Sequence, residues 1–488
     1  MKIAELNDQR NLFDCVVLPF IQGEKASQAY KGNDWETEIQ SILQLGDFKG
    51  KLEETEWIYF SATKEKRILL IGLGKEEDLT LEVVRLAYAK AIKAARVKKL
   101  NSVSLMFPDL GKLEDVLIVE AITQGSTLAN YDFSEYKKQE CPAIEKIQIL
   151  GADTSFQSNI DRMMTICEGV YFTRTLVNKN ADEISPQTLG SFAKDSEKLS
   201  SKLKVEVHDK KWIEKQKMGL LLAVGRGSMQ DPVFIEMHYE GDPDSKECIA
   251  FVGKGITYDT GGLSLKPPPS MLDMKSDMSG AAAVIGAMRV IAKLGLKVNL
   301  KVFVPATENA IGPRSYKVGD VYRSYLGKTV QIINTDAEGR LILADALSYA
   351  ATNYKPKHLF DVASLTGAIV VALGEEVTGL FCNDEKLCSI VTKAGEKTGE
   401  TVCNVPLVPS YKKLLDSQIA DLANCGNRNA SSITAALFLE AFVEKVSWAH
   451  LDIAGTSFIS KPYGYYPISG TGVGVQLLVE TIEKIIKQ

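Results

Sequence analysis

The stretch from Val330 to Ala350, "VQIINTDAEGRLILADALSYA", constrains the fold more than any other in the chain. Its first residues are β-branched or apolar apart from Gln331. Its last repeat their apolar members at helical spacing, and between the two stand Asp336, Glu338 and Arg340. That pattern is a strand-to-helix junction. Alternate residues of an extended chain point the same way, so Asp336 and Glu338 are expected to project together past the strand's carboxyl end, where open α/β sheets bind ligands. Taken alone, the same charges also fit an acidic turn capping a helix N-terminus.

A second segment, "FVGKGITYDTGGLSLKPPPSMLDMKSDMSGAAAV" (251–284), makes the same passage from strand through a Gly/Pro-rich loop to helix, with Ser279 expected as the cap. It carries Lys254, Asp259, Lys266 and Asp277. If both loops converge on one crevice, four carboxylates meet, and their repulsion is prohibitive unless something strongly positive lies between them. Divalent metal ions answer that requirement. Two ions about 3.5 Å apart can share a water, lower its pKa and polarise a carbonyl or phosphoryl oxygen. The ligand set is rich in oxygen and free of histidine, which suits Mn²⁺ or Mg²⁺ and accommodates Zn²⁺. From residues alone the reading is a two-metal hydrolase.

Other chemistries lack their residues. The four histidines, His208, His238, His358 and His450, lie far from "NTDAEGRL" in sequence, and no G-x-S-x-G or H-E-x-x-H occurs. "LGKT" at 326–329 has Tyr322 where a phosphate loop needs glycine, and "IGLG" lacks the third glycine of a dinucleotide fingerprint. The eight cysteines form no CxxC pair, as expected of reduced thiols. A net charge of -5 provides no general attraction for nucleic acid or an anionic membrane. No apolar run is long enough to span a bilayer and the N-terminus does not resemble a secretory signal, so a cytoplasmic location is expected.

Along the chain, "CVVLPFI", "WIYFSA", "RILLIGLG" and "SVSLMF" alternate with helical stretches, which argues for a smaller N-terminal α/β domain over 1–157. A long helix then opens a connection over 158–185. From 186 to 488 follows a larger catalytic α/β domain, whose expected strands include "CIAFVGKGI", "NLKVFVPATE", "TVQIINTD", "HLFDVASLTG" and "WAHLDIAG". Their near-continuous apolar character points to a mainly parallel central sheet flanked by helices.

The octapeptide "NTDAEGRL", with "VGKGITYDTGGLSLKP" and "MKSDMSGAAAV" in register before it, closely resembles the leucyl aminopeptidase (cytosol aminopeptidase) family of two-metal peptidases. The resemblance extends through "ASLTGAIVVALG" and "WAHLDIAG", and the first domain matches only in general pattern. It implies that Lys254, Asp259, Asp277 and Glu338 surround one metal, and Asp259, Asp336 and Glu338 the other. It implies catalytic roles for Lys266, which stabilises the developing gem-diolate, and for Arg340, which holds a bicarbonate ion acting as proton shuttle. Ala337, Gly339 and Leu365 would complete the bicarbonate cradle, and Met274 and Asn334 would line the substrate pocket. It further implies peptide substrates with a free N-terminus, a preference for leucine and other apolar residues, and a homohexamer. Tyr258 and Thr260 stand where Phe and Ser are frequent, and Asn429–Ser432 where the family is often glycine-rich. Two readings stay beside this one: a two-metal phosphoesterase, which needs the same carboxylates, and DNA binding, known for some family hexamers but given little support by the negative charge.

Overall fold

The computed structural model describes residues 1–4, 13–23, 35–60, 66–137 and 140–487. The chain divides into two compact units, Met1–Glu168 with Lys461–Pro467, and Gly169–Ser460 with Ile468–Gln488. The division falls inside the helix Gln157–Asn178.

The first unit is built on a sheet of six strands, β1 (Lys2–Ala4), β2 (Cys15–Phe20), β3 (Thr55–Tyr59), β4 (Arg67–Gly72), β5 (Ser102–Met106) and β6 (Lys146–Leu150). Their order is β1-β6-β5-β2-β4-β3, parallel throughout except for β3 against β4. The helices Leu81–Val97 and Asp115–Ala129 pack together, as the alternating pattern predicts. Of the expected strand "WIYFSA", Ser61 and Ala62 lie outside the described residues.

The second unit contains β7 (Leu203–His208), β8 (Val233–Glu240), β9 (Ile249–Gly253), β10 (Gly255–Asp259), β11 (Asn299–Asn309), β12 (Val321–Arg323), β13 (Thr329–Gln331), β14 (His358–Ala363), β15 (Thr378–Cys382), β16 (Val402–Asn404), β17 (Leu422–Ala423) and β18 (Ser447–Asp452). Its main sheet runs β16-β15-β18-β14-β9-β11-β8-β7, with β10 added beside β11. The centre is parallel: β18 on β14, β14 on β9, β9 and β10 on β11. The flanks are not, because β15 meets β18, and β8 meets both β11 and β7, antiparallel. The sheet is therefore mixed around a parallel core.

Both faces of that core are covered. Ala250 and Val252 join the buried cluster beneath the helix Glu338–Tyr354, together with Phe303, Leu341, Leu347 and Trp448. Phe251 points the other way and meets Phe360 edge-on, with ring centroids 5.5 Å apart. Each such large side chain, fully buried, contributes about 1.5–3 kcal/mol. Because β9, β10, β11, β14 and β18 run in one direction, Gly253, Asp259, Asn309, Ala363 and Asp452 all end strands at the same edge.

"TVQIINTD" departs from expectation. Only Thr329–Gln331 is strand, and it belongs to a small sheet of β12, β13 and β17, not to the main one. Asn424 draws the chain out of extended form at once: its Oδ1 accepts the Ile333 N–H at 2.8 Å and its Nδ2 donates to Asn334 O at 2.6 Å. Glu338 is thus the first residue of a helix, not the end of a strand. Ser279 likewise lies inside the helix Ser279–Leu294, its hydroxyl given to Ser276 O at 2.5 Å, and the cap position falls to Met278.

Candidate active site

Four acids meet at this edge, each placed by a different local device. Asp259 ends β10 opposite Asn309, its register partner on β11. Its Oδ1 accepts from Asn309 Nδ2 and from the Gly261 N–H, both at 2.8 Å, so one oxygen is fixed and the other points outward. The turn that follows needs Gly261 and Gly262 at φ +84° and +62°, a region L side chains rarely adopt. Asp336 is held in a turn by Asn334, whose Oδ1 accepts its N–H at 2.8 Å. Glu338 opens the helix Glu338–Tyr354. Asp277 follows the short 3₁₀ turn Met274–Ser276, and its Oδ1 accepts the Ser364 hydroxyl at 2.8 Å.

Two lysines reach into the cluster. Lys254, between β9 and β10 and 3% exposed, places Nζ 2.8 Å from Asp277 Oδ2 and 3.0 Å from Glu338 Oε1, and donates to Ser364 O at 2.9 Å. Lys266 places Nζ 2.9 Å from Asp259 Oδ2 and 2.5 Å from Asp336 Oδ1. Burial lowers both ammonium pKa values, but the surrounding carboxylates outweigh it and hold both groups above the ordinary lysine range. The acids respond unequally. Burial, then Glu338 and Asp277, push Asp259 up; burial pushes up Asp277 more than Lys254 lowers it. Glu338 stays below its ordinary value because Lys254 and Lys266 outweigh its burial.

The donors fit divalent metal. Ligand oxygens of Asp259, Asp336 and Glu338 lie within 4.8 Å of one another, and Glu338 Oε2 is buried with no hydrogen-bond partner. An orphaned carboxylate oxygen in such a place is costly unless a cation completes it. Asp277 joins that group through Lys254. Gly339 is required by the same crowding, since a Cβ there would stand 2.5 Å from Lys254 Cε.

Arg340 is 6% exposed; Nη1 donates to Asn424 O at 2.9 Å, and Nε is buried without a partner. The helix it belongs to begins with no side-chain cap at Ala337, which leaves first-turn N–H groups without a capping side chain. An oxyanion fits there. The Ala337 N–H is engaged by Asn334 O at 3.3 Å, and the Leu365 N–H by Asp452 Oδ1 at 3.1 Å. Met274 is half-buried beside Asp277, and Asn334 spends its side chain on the Asp336 turn.

Several residues of this site escaped sequence reading: Asn309, Ser364, Asn424, Asp452 and the buried pair of His450 with Asp361, whose Nδ1 and Oδ1 are 2.6 Å apart. Asn, Asp and His within apolar strands were the available signal for Asn309, Asp361, His450 and Asp452, whereas Ser364 and Asn424 lie just past strand ends and gave none. Of the departures noted above, Thr260 hydrogen-bonds Asn309 O at 2.8 Å, and Ala430 takes φ 55°, where glycine costs less.

A site of buried carboxylates and lysines at the carboxyl ends of parallel strands defines a metal-dependent hydrolase class. The family model described as "Cytosol aminopeptidase family, catalytic domain" matches residues 171–479, and that for the family's N-terminal domain matches 17–140. The chain is 44% identical to a probable cytosol aminopeptidase of Protochlamydia amoebophila, over 98% of this chain and 97% of that protein. It is 45% identical to a probable cytosol aminopeptidase of Chlamydia felis, over 97% of each. Among solved structures it resembles the bottromycin maturation enzyme BotP in complex with Mn, with TM-score 0.86 and 31% identity over 97% of this chain and 99% of that one. The chain belongs to the cytosol aminopeptidase family, and is thereby a metal-dependent peptide hydrolase. Among the described residues, no helix is long and apolar enough to cross a membrane.

Proposed function

We propose that this enzyme removes N-terminal residues from peptides, with leucine and other large apolar residues preferred, using two divalent ions and a bicarbonate. The observation that carries the reading is the cluster of Asp259, Asp277, Asp336 and Glu338 threaded by two ammonium groups. Two bound ions would supply an activated water and polarise the scissile carbonyl. Asp259, Asp277 and Glu338 would hold one, joined by Lys254 as the neutral amine left when a dication displaces its proton, and Asp259, Asp336 and Glu338 would hold the other. Mn²⁺ is favoured by the oxygen-rich donors, with Zn²⁺ and Mg²⁺ as the other candidates.

The remaining work falls to the chain itself. Lys266 keeps its proton and stands where it can donate to a carbonyl oxygen gaining negative charge. Arg340 offers Nε and the uncapped helix start to bicarbonate, which can take and return a proton beside the cluster. Leu263, Leu265 and Leu272, all exposed, and the half-buried Met274 give the loop after Gly262 an apolar margin suited to an apolar substrate side chain. A cytoplasmic homohexamer is the assembly and location we expect.

The test is a panel of dipeptides and their N-acetylated forms, with p-nitrophenyl phosphate as contrast. Release of free N-terminal leucine from unblocked substrates, with none from blocked ones, is expected. Equal cleavage of blocked peptides, or turnover of the phosphate ester instead, would reject the reading.

A further inference from the structure

Asp452 ends β18 and is 1% exposed. Its Oδ1 accepts the N–H groups of Leu365 at 3.1 Å, Thr366 at 3.4 Å and Ala454 at 3.2 Å, and its Oδ2 accepts the Thr366 hydroxyl at 2.7 Å. All these partners but Ala454 lie on the loop leaving β14, whose last residue Ala363 is the register partner of Asp452. That same loop touches the acidic cluster at two points. Ser364 O accepts from Lys254 Nζ at 2.9 Å, and Ser364 Oγ donates to Asp277 Oδ1 at 2.8 Å. One carboxylate anchored in a rigid strand thus fixes a loop that orients two side chains of the cluster.

His450, on the same face of β18 two residues earlier, supports that carboxylate. It is fully buried, its Nδ1 is tied to Asp361, Trp448 Nε1 donates to the other Asp361 oxygen at 2.7 Å, and its Nε2 has no partner. Burial lowers the His450 pKa, but Asp361 and then Asp452 outweigh it and raise it overall, which favours a positive charge behind Asp452.

We propose that Asp452 is a positioning residue for the Lys254 and Asp277 side of the metal centre, acting through the loop Ser364–Thr366. It touches none of the proposed metal ligands itself. The inference rests on the metal reading of the cluster, and the experiment separates the two. Mn²⁺ is titrated calorimetrically into metal-free wild type, Asp452→Ala, Asp452→Asn, Ser364→Ala and the Ser364→Ala/Asp452→Asn double variant, with circular dichroism to confirm folding.

Wild type is expected to take two ions. Asp452→Ala should weaken one position by about tenfold or more and leave the other nearly unchanged, the size usual for residues that orient metal ligands. Asp452→Asn keeps an acceptor oxygen for the backbone donors and should lose clearly less. Ser364→Ala should weaken the same position, and the double variant should lose less than the product of the two single losses, because both act through one loop. If Asp452→Ala does not fold, the Asn, Ser364→Ala and double variants decide alone. A folded Asp452→Ala with both affinities intact, equal weakening of both positions, or multiplicative losses in the double variant would overturn the proposal while leaving the metal reading in place. A wild type that binds no Mn²⁺ would overturn both.

Discussion

Replacing Lys266 by methionine separates what this lysine does for the metal-free fold from what it does in turnover. Its ammonium lies 2.9 Å from Asp259 Oδ2 and 2.5 Å from Asp336 Oδ1, with the side chain 15% exposed. At an effective dielectric of about 20, each contact is worth roughly 6 kcal/mol of gross attraction. Desolvation of the partners consumes most of it, and stripping one member from such a buried cluster typically costs about 3–5 kcal/mol. For a chain of 488 residues about 1 °C of Tm follows each kcal/mol, so the metal-free variant should melt about 3–5 °C lower than wild type. Saturating Mn²⁺ gives the abandoned carboxylates another cation and should recover most of that loss. The Mn²⁺-induced rise in Tm is therefore expected to be larger in the variant than in wild type. Turnover should not recover: losing a donor to the developing oxyanion costs about 10²–10³ in kcat. Thermal melts with and without Mn²⁺, beside kcat on L-leucine-p-nitroanilide, measure both effects. A variant with wild-type kcat, or a metal-free Tm unchanged from wild type, would refute the reasoning.

Arg340→Ala should slow turnover far more than it weakens Mn²⁺ binding, and added bicarbonate should stimulate wild type but not the variant; full activity of the variant in bicarbonate-free buffer would contradict the oxyanion role. Gly339→Ala should fold, because the three atoms nearest the new methyl all belong to the flexible end of Lys254, yet displace that amine and lower Mn²⁺ affinity at one position; an unchanged titration curve would show that Lys254 is not needed there. Away from the site, burial raises the Glu236 pKa but hydrogen bonds from His208, His238, Tyr349 and Tyr354 outweigh it and hold the carboxyl well below its ordinary value. Such a group stabilises the fold above the unfolded carboxylate pKa and loses that contribution as pH falls toward its folded value. The stability gap between wild type and Glu236→Gln, measured by urea unfolding, should therefore hold down to the ordinary glutamate value of about 4.3 and shrink as pH falls below it, and a gap that stays constant there would argue against it.

What could be read from sequence follows the distance over which each device acts. Asp336, Glu338 and Arg340 announced themselves because they crowd five positions between apolar runs, and the helix Gln157–Asn178 because no Pro interrupts its 22 residues. The two glycine-flanked or glycine-led lysines sat within one loop segment. Their partners did not. Asn309 reaches Asp259 across 50 positions, Asn424 reaches Asn334 across 90, and Asp452 reaches Leu365 across 87. Each is a single polar residue whose purpose appears only when parallel strands bring their ends together. The same limit explains the Glu338 error. Period-2 alternation supported an extended chain through Asp336, and only the distant Asn424 side chain turns it out of the strand.

The central claim is that a metal cluster held by Asp259, Asp277, Asp336 and Glu338 cleaves N-terminal residues. The most direct test counts metal and turnover in one sample: the chain is stripped by chelation, reloaded with Mn²⁺, freed of excess ion and assayed on L-leucine-p-nitroanilide while its Mn content is measured by elemental analysis. The account predicts no hydrolysis in the stripped protein, and activity that rises with Mn content to a plateau at two ions per chain. Hydrolysis that persists in the stripped protein, or that stays absent with two ions bound, would contradict it.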